Sequence, residues 1–203
     1  MRGDWYIFIA VAALVAIYVY ASIFWCLFAY RRKTHENPET FTGNPTLEIL
    51  YTAIPLVIVI GLFIVTYIVE MPVDHVLAQT PNRVAVTAFR WSWRFEYLEA
   101  GIATVGTPAN PPALYLPVNR STEIDLRSVD VTHSFWVPAF LFKRDAIPGM
   151  TNVFDLTPKR TGRFLARCAQ FCGLEHASMA FLVNVVPDAA YDRFVASHGT
   201  ALP

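Results

Sequence analysis

Two stretches of this chain run without a formal charge for longer than a soluble fold of its size would carry, and they fix most of what its first third can become. The first spans Trp5 to Tyr30, 26 residues between Asp4 and Arg31-Arg32-Lys33. The second spans Ile49 to Val69, 21 residues closed by Glu70. At about 1.5 Å of rise per residue, either run crosses a hydrocarbon core of about 30 Å. A backbone inside that core must satisfy its own hydrogen bonds, which a helix does. The sequence therefore predicts membrane-spanning helices over about 5–30 and 49–69. The first run is too long for a signal-peptide core and no small-residue cleavage site follows it, so the reading is a retained anchor. Pro55 falls in the early turns of the second, where neighbouring helices can satisfy the freed carbonyl. Trp5, Tyr6 and Tyr30 suit the interfacial belts.

Residues 31–48, with Asn37-Pro38 and Gly43-Asn44-Pro45, have the chemistry of a connecting loop. Three basic residues abut the first run on this side, which places the loop in the cytoplasm and everything after the second run outside. The expected division is a transmembrane hairpin over 1–80 and an extracytoplasmic domain over 81–203. The hairpin accounts for much of the 55% hydrophobic content, and 16 basic against 16 acidic residues give no electrostatic reason for a nucleic-acid partner.

Beyond residue 80 the period shortens. Phe89, Trp91, Trp93, Phe95 and Tyr97 alternate with Arg90, Ser92, Arg94 and Glu96, which predicts one half-buried strand with an aromatic face. Short alternating runs follow at Ala113–Leu116, Glu123–Val129, Asn152–Leu156, Thr161–Arg167 and Ala180–Val186, while Gly101–Pro112 reads as a long hairpin connection. Strands at this spacing, with Gly and Pro between them, predict an all-β sandwich or barrel. The tail from Pro187 is mildly amphipathic and carries no functional signal.

The chemistry is concentrated in Cys168-Ala169-Gln170-Phe171-Cys172-Gly173-Leu174-Glu175-His176-Ala177-Ser178-Met179. A disulfide accounts for the two cysteines without His176 or Met179. Zinc takes two cysteines and a histidine but rarely a thioether, and it would want a fourth ligand, for which His133 is a candidate. Copper suits thiolate, imidazole and thioether together. A lone His on a strand or a lone Met in a loop is more often packing than coordination; the conjunction of donors is what favours a metal. Cys26, inside the first apolar run, reads as a buried, inert thiol.

Taken with His133-Ser134-Phe135-Trp136-Val137-Pro138 and Asp145-Ala146-Ile147-Pro148-Gly149, the Cys-x3-Cys-x3-His-x2-Met loop resembles subunit II of the haem–copper oxidases, the cytochrome c oxidase type. The resemblance implies a membrane-anchored all-β protein, a two-helix transmembrane hairpin followed by a cupredoxin-like Greek-key β-barrel. It implies a binuclear copper centre, CuA, with Cys168 and Cys172 bridging two copper ions and one ion each for His133 and His176. Met179 and the backbone carbonyl of Gln170 would be the weak outer ligands. Electrons from cytochrome c would arrive at Trp91, first of the Trp-x-Trp pair, and leave for haem in subunit I, where oxygen is reduced to water with proton translocation.

Several further positions follow from the same resemblance. Glu48, with an aromatic three residues on at Tyr51, matches a carboxylate at the mouth of a proton pathway. Lys143 and Asp145 match a segment facing subunit I, where a structural salt bridge is expected, and Asp130 matches an aspartate near the cytochrome c docking face. Subunits I and III are the implied partners. The implied setting is a prokaryotic plasma membrane or the mitochondrial inner membrane, with the copper domain on the outer side. Two positions depart from the pattern. Gln170 stands where the family commonly has Glu, so a magnesium ion at the subunit I interface loses a carboxylate ligand. Ala139 replaces an acidic residue, and both changes suggest a prokaryotic or otherwise divergent oxidase. The quinol-oxidising branch lacks the copper ligands that this chain has. A membrane-anchored copper carrier has no use for Glu48 or for the Lys143–Asp145 segment.

Overall fold

The computed structural model describes residues 2–31, 43–74, 82–197 and 199. Most of the expected 31–48 loop, with Arg32 and Lys33 on which its cytoplasmic placement rests, and the expected boundary at residues 80 and 81 lie outside them. Compact units divide at Pro72 and Val73.

The first unit holds α1 (Arg2–Ala29) and α2 (Pro45–Asp74). α2 is longer than the apolar run that predicts it, because backbone hydrogen bonding continues past the first charge at either end. Asn44 caps it, its Oδ1 accepting the Leu47 N–H at 3.2 Å, and Pro45 occupies the first turn, where no N–H partner is lost. Hydroxyls within the runs bond their own helix: Ser22 to the Tyr18 carbonyl, Thr52 to that of Glu48, and Thr66 to that of Leu62. Most of the described apolar side chains of both helices are exposed, which suits lipid as the surrounding solvent. Cys26, expected to be buried, is exposed among them, because helix packing within this unit covers almost nothing.

The second unit is a sandwich of two five-stranded sheets. Its strands are β1 (Arg83–Phe89), β2 (Ser92–Tyr97), β3 (Ile102–Val105), β4 (Ala113–Pro117), β5 (Thr122–Ser128), β6 (His133–Val137), β7 (Phe142–Ala146), β8 (Asn152–Leu156), β9 (Gly162–Cys168) and β10 (Ala180–Val186), followed by a short α3 (Asp188–Ala196). One sheet has the order β3-β2-β1-β5-β8 and the other β4-β10-β9-β6-β7. The pairs β1–β5 and β4–β10 are parallel and the rest antiparallel, so the chain crosses between sheets instead of meandering within one. Alternation sets the faces. Ile124 and Leu126 of β5 and Phe181, Val183 and Val185 of β10 point inward, while Glu123, Asp125 and Arg127 point out.

The aromatic run corrects the single-strand expectation. The chain reverses at Arg90 and Trp91, so Phe89 pairs with Ser92 and the run supplies both arms of a hairpin. Alternation alone does not mark a turn with no Gly, Pro or Asn in it. Trp93, Phe95 and Tyr97 keep their shared inward face, whereas Trp91 is left at the turn, half-buried. Trp93 and Phe95 pack on Phe181 at centroid distances of 5.0 and 5.5 Å, and Phe135 packs on Phe181 at 4.8 Å. These rings tie the two sheets together, each worth roughly 1.5–3 kcal/mol relative to exposure. The stretch read as one connection, 101–112, contains β3, and the tail contains α3, held by Arg120 across to Asp188 and Asp192.

Candidate metal centre

Pairing of β6 with β9 removes the 35-residue gap between the two donor loops. Phe135 lies opposite Cys168 and Trp136 opposite Arg167, so His133, two residues before Phe135, stands beside the point where Cys168 leaves the sheet. Ala169 N–H donates to the Ser134 carbonyl at 3.1 Å, and Cys168 N–H donates to the Met179 carbonyl at 2.9 Å, which closes the neck of the loop. Inside the loop the chain turns at Gly173, whose φ of +119° is strained for any residue with a side chain. A short 3-10 turn over His176–Ser178 then brings His176 and Met179 back toward the cysteines.

The donor atoms converge. Cys168 Sγ lies 3.9 Å from Cys172 Sγ, 3.9 Å from His133 Nδ1 and 3.2 Å from the Gln170 carbonyl oxygen. Cys172 Sγ lies 3.5 Å from His176 Nδ1 and 3.7 Å from Met179 Sδ. Both thiols are free, far beyond the roughly 2.05 Å of a disulfide. Ligands held about 2.0–2.3 Å from a shared ion at near-tetrahedral angles sit about 3.3–3.8 Å apart, so these separations are of the order that metal coordination requires. Each thiol has its own imidazole, and the two thiols face each other. The set suits soft ions better than hard ones. His133, Cys168, Cys172 and Met179 are buried, His176 is half-buried, and the Gln170 side chain is exposed.

Electrostatics in the pocket follow from burial set against hydrogen bonding. Burial works against a Cys168 thiolate, yet His133 and the backbone of Gln170 and Ser134 outweigh it and bring that thiol down to about 6. Burial and the Cys168 charge push Cys172 up, to about 12. Ligation by both sulfurs requires both as thiolates, so a metal held there would displace the proton that Cys172 keeps. Burial alone would lower His133, but Cys168 and Asp130 overcome it and raise it. Asp130 is opposed by burial as well, but hydrogen bonds from His133 and the Val131 and Arg90 N–H groups hold its carboxyl at about 2.

The partners of the donors are of equal interest. Asp130 Oδ1 is 2.9 Å from His133 Nε2, which leaves Nδ1 for a metal, an arrangement that fixes the tautomer of a ligating histidine. The aspartate three residues before His133 thus supports the imidazole from behind. Trp91 Nε1–H donates to the Cys172 carbonyl at 3.2 Å, and a Cβ on Gly173 would meet the same indole at 3.2–3.5 Å. Arg90, which no motif singles out, donates its backbone N–H to Asp130 Oδ2 at 2.7 Å and its Nε–H to the same oxygen at 3.3 Å. Glu48 belongs to the other unit, exposed in the first turn of α2. Lys143 Nζ and Asp145 Oδ1 are 4.0 Å apart and exposed, a surface pair of little energetic weight.

Known proteins resemble this chain along both units. Residues 4–69 match the family described as Cytochrome C oxidase subunit II, transmembrane domain, and residues 109–186 match Cytochrome C oxidase subunit II, periplasmic domain. A "Probable cytochrome c oxidase subunit 2" of Streptomyces avermitilis is 35% identical over 95% of this chain and 72% of its own length. A protein of the same description from Streptomyces coelicolor is 34% identical over the same shares. Among solved structures, the periplasmic domain of subunit II of cytochrome oxidase of Bradyrhizobium japonicum superposes with a TM-score of 0.55 at 25% identity. The match covers 63% of this chain and all of that one.

Proposed function

The chain belongs to the cytochrome c oxidase subunit II family, and from that premise we propose that Cys168, Cys172, His133, His176, Met179 and the Gln170 carbonyl hold its binuclear copper centre. As a subunit II, the protein serves an oxidase that takes electrons from cytochrome c and passes them to haem in subunit I for oxygen reduction. The observation that carries the copper assignment is the pairing of two unbonded, buried thiols 3.9 Å apart with one imidazole Nδ1 each. When bound, the copper pair supplies a one-electron store whose charge is shared by two ions, so that little has to rearrange on transfer.

The chain's own residues supply rigidity and a route. β6 and β9 hold His133 and Cys168 in paired strands, and Asp130 keeps the His133 ring oriented. Trp91 is the residue that receives the electron, because its indole N–H is bonded to the backbone of a ligating cysteine while part of the ring stays open to solvent. Glu48 serves proton uptake at the mouth of a pathway into subunit I. Gln170 presents a neutral amide where a hard cation wants a carboxylate, so this chain offers magnesium no charged ligand at that position. The hairpin anchors the protein in a prokaryotic plasma membrane with the β-domain on the outer side, against subunit I.

The test is copper loading of the full chain in detergent. The expected result is two copper ions per chain and an electron paramagnetic resonance signal from one electron shared equally by two copper nuclei. Cys172→Ser is expected to abolish the shared signal and slow electron transfer more than about 100-fold, beyond the range of changes outside the ligand set. A single-copper signal, retained zinc, or a Cys168–Cys172 disulfide in loaded protein would overturn the assignment.

A further inference from the structure

The turn between β1 and β2 puts adjacent residues on opposite walls of the centre. Trp91 reaches the loop wall, bonding the Cys172 carbonyl at 3.2 Å. Arg90 reaches the β6 wall through Asp130, whose two carboxylate oxygens have separate duties. Oδ2 takes the Arg90 backbone N–H and Nε, at 2.7 and 3.3 Å. Oδ1 takes the Val131 N–H at 2.7 Å and faces His133 Nε2 at 2.9 Å. The side chains pass from 52% exposed at Arg90, through 20% at Asp130, to 0% at His133, so a guanidinium at the surface acts on a ring that solvent cannot reach.

We propose that Arg90 is a positioning residue of the centre, which through Asp130 sets how strongly His133 donates to the metal; this rests on the copper reading above. An imidazole whose N–H donates to a carboxylate is a more electron-rich ligand and favours the oxidised metal. A guanidinium on the same carboxylate draws charge away from that bond and restrains the effect. Arg90 and Asp130 therefore act in opposite directions, Asp130 lowering the reduction potential and Arg90 holding it up. A purely structural role for the pair would give no such opposition in sign. The backbone N–H of Arg90 stays on Asp130 whatever the side chain, so Arg90→Gln removes the charge and leaves the turn tied.

The experiment uses the full chain in detergent, loaded with copper, as wild type, Arg90→Gln, Arg90→Lys, Asp130→Asn and the Arg90→Gln/Asp130→Asn double variant. Copper content, reduction potential and the nitrogen couplings of the two histidines are measured. Two coppers per chain are expected throughout. Arg90→Gln should raise the oxidised-to-reduced ratio at fixed poise about threefold, which is about 28 mV downward at 59 mV per tenfold. Asp130→Asn should move it the other way, and Arg90→Gln should do nothing further in the Asp130→Asn background. Only one histidine's coupling should change, and Arg90→Lys, which keeps the charge, should recover at least half of the shift. If wild type lacks two coppers, the copper reading fails and this inference with it. If wild type has them and Arg90→Gln leaves the potential unmoved, or shifts it in the same direction as Asp130→Asn, the role of Arg90 alone is overturned. Should Arg90→Gln lose copper, Arg90→Lys decides: a wild-type potential upholds the charge role, and a shifted one refutes it.

Discussion

The two walls of the centre are built in different ways. On the β6 side, His133 is fully buried in a paired strand, packed near the Trp93 ring at 6.3 Å and hydrogen-bonded to Asp130. On the other side, five donor positions lie on one twelve-residue excursion tied at its neck, with Phe171 and Leu174 exposed at 78% and 90%. His133 is thus part of the fold as well as of the centre, whereas His176 is half-buried on a short turn. The difference teaches that equal roles toward a metal do not imply equal roles in stability. Of these two proposed ligands, one is placed by core packing and the other by loop closure.

That contrast breaks most readily at the histidines. His133→Ala is expected to lose copper and to destabilise the copper-free protein by about 2–4 kcal/mol, because it leaves a cavity and strips Asp130 of a partner. His176→Ala is expected to lose copper as fully while costing less than about 1 kcal/mol. Chemical denaturation with tryptophan fluorescence, beside metal analysis, checks both, and equal destabilisation would erase the distinction.

A smaller effect sharpens the β6 side through pH. Asp130 is held at about 2 in the folded protein, below the ordinary carboxylate value of about 3.9. The folded state thus binds fewer protons in that interval, so its contribution is complete above about pH 4 and is lost as pH falls through about 2. Unfolding of the copper-free protein between pH 2 and 5 should show a steeper loss in wild type than in Asp130→Asn, and parallel curves would count against it. The smallest effect is expected on the loop side. Gln170→Glu changes an exposed side chain while its carbonyl is the group near Cys168, so copper content should be unchanged and stability should move by less than about 0.5 kcal/mol.

Much of this was legible beforehand for definite reasons. Uncharged runs of 26 and 21 residues are long enough to read as membrane spans, and the Asn152–Leu156 and Ala180–Val186 strands stand as their alternation reads. The hairpin at Arg90 and Trp91 was hidden because its turn lacks the usual residues, and β3 because Gly101–Pro112 is dominated by them. Cys168, Cys172, His176 and Met179 were readable because their spacing is local. His133 rested on motif resemblance, and Arg90 left no signal, since a surface arginine beside a tryptophan is ordinary.

Sequence by itself determined which segments meet lipid and which short loop carries the soft donors, because hydrophobic run length and local spacing are properties of neighbouring residues. Only the tertiary structure decided that β6 lies beside β9, that Asp130 faces the far nitrogen of His133, and that one turn reaches both walls. Those are contacts 31 to 81 residues apart or dependent on a ring's orientation, and they arise from strand register and side-chain packing rather than from any pattern along the chain.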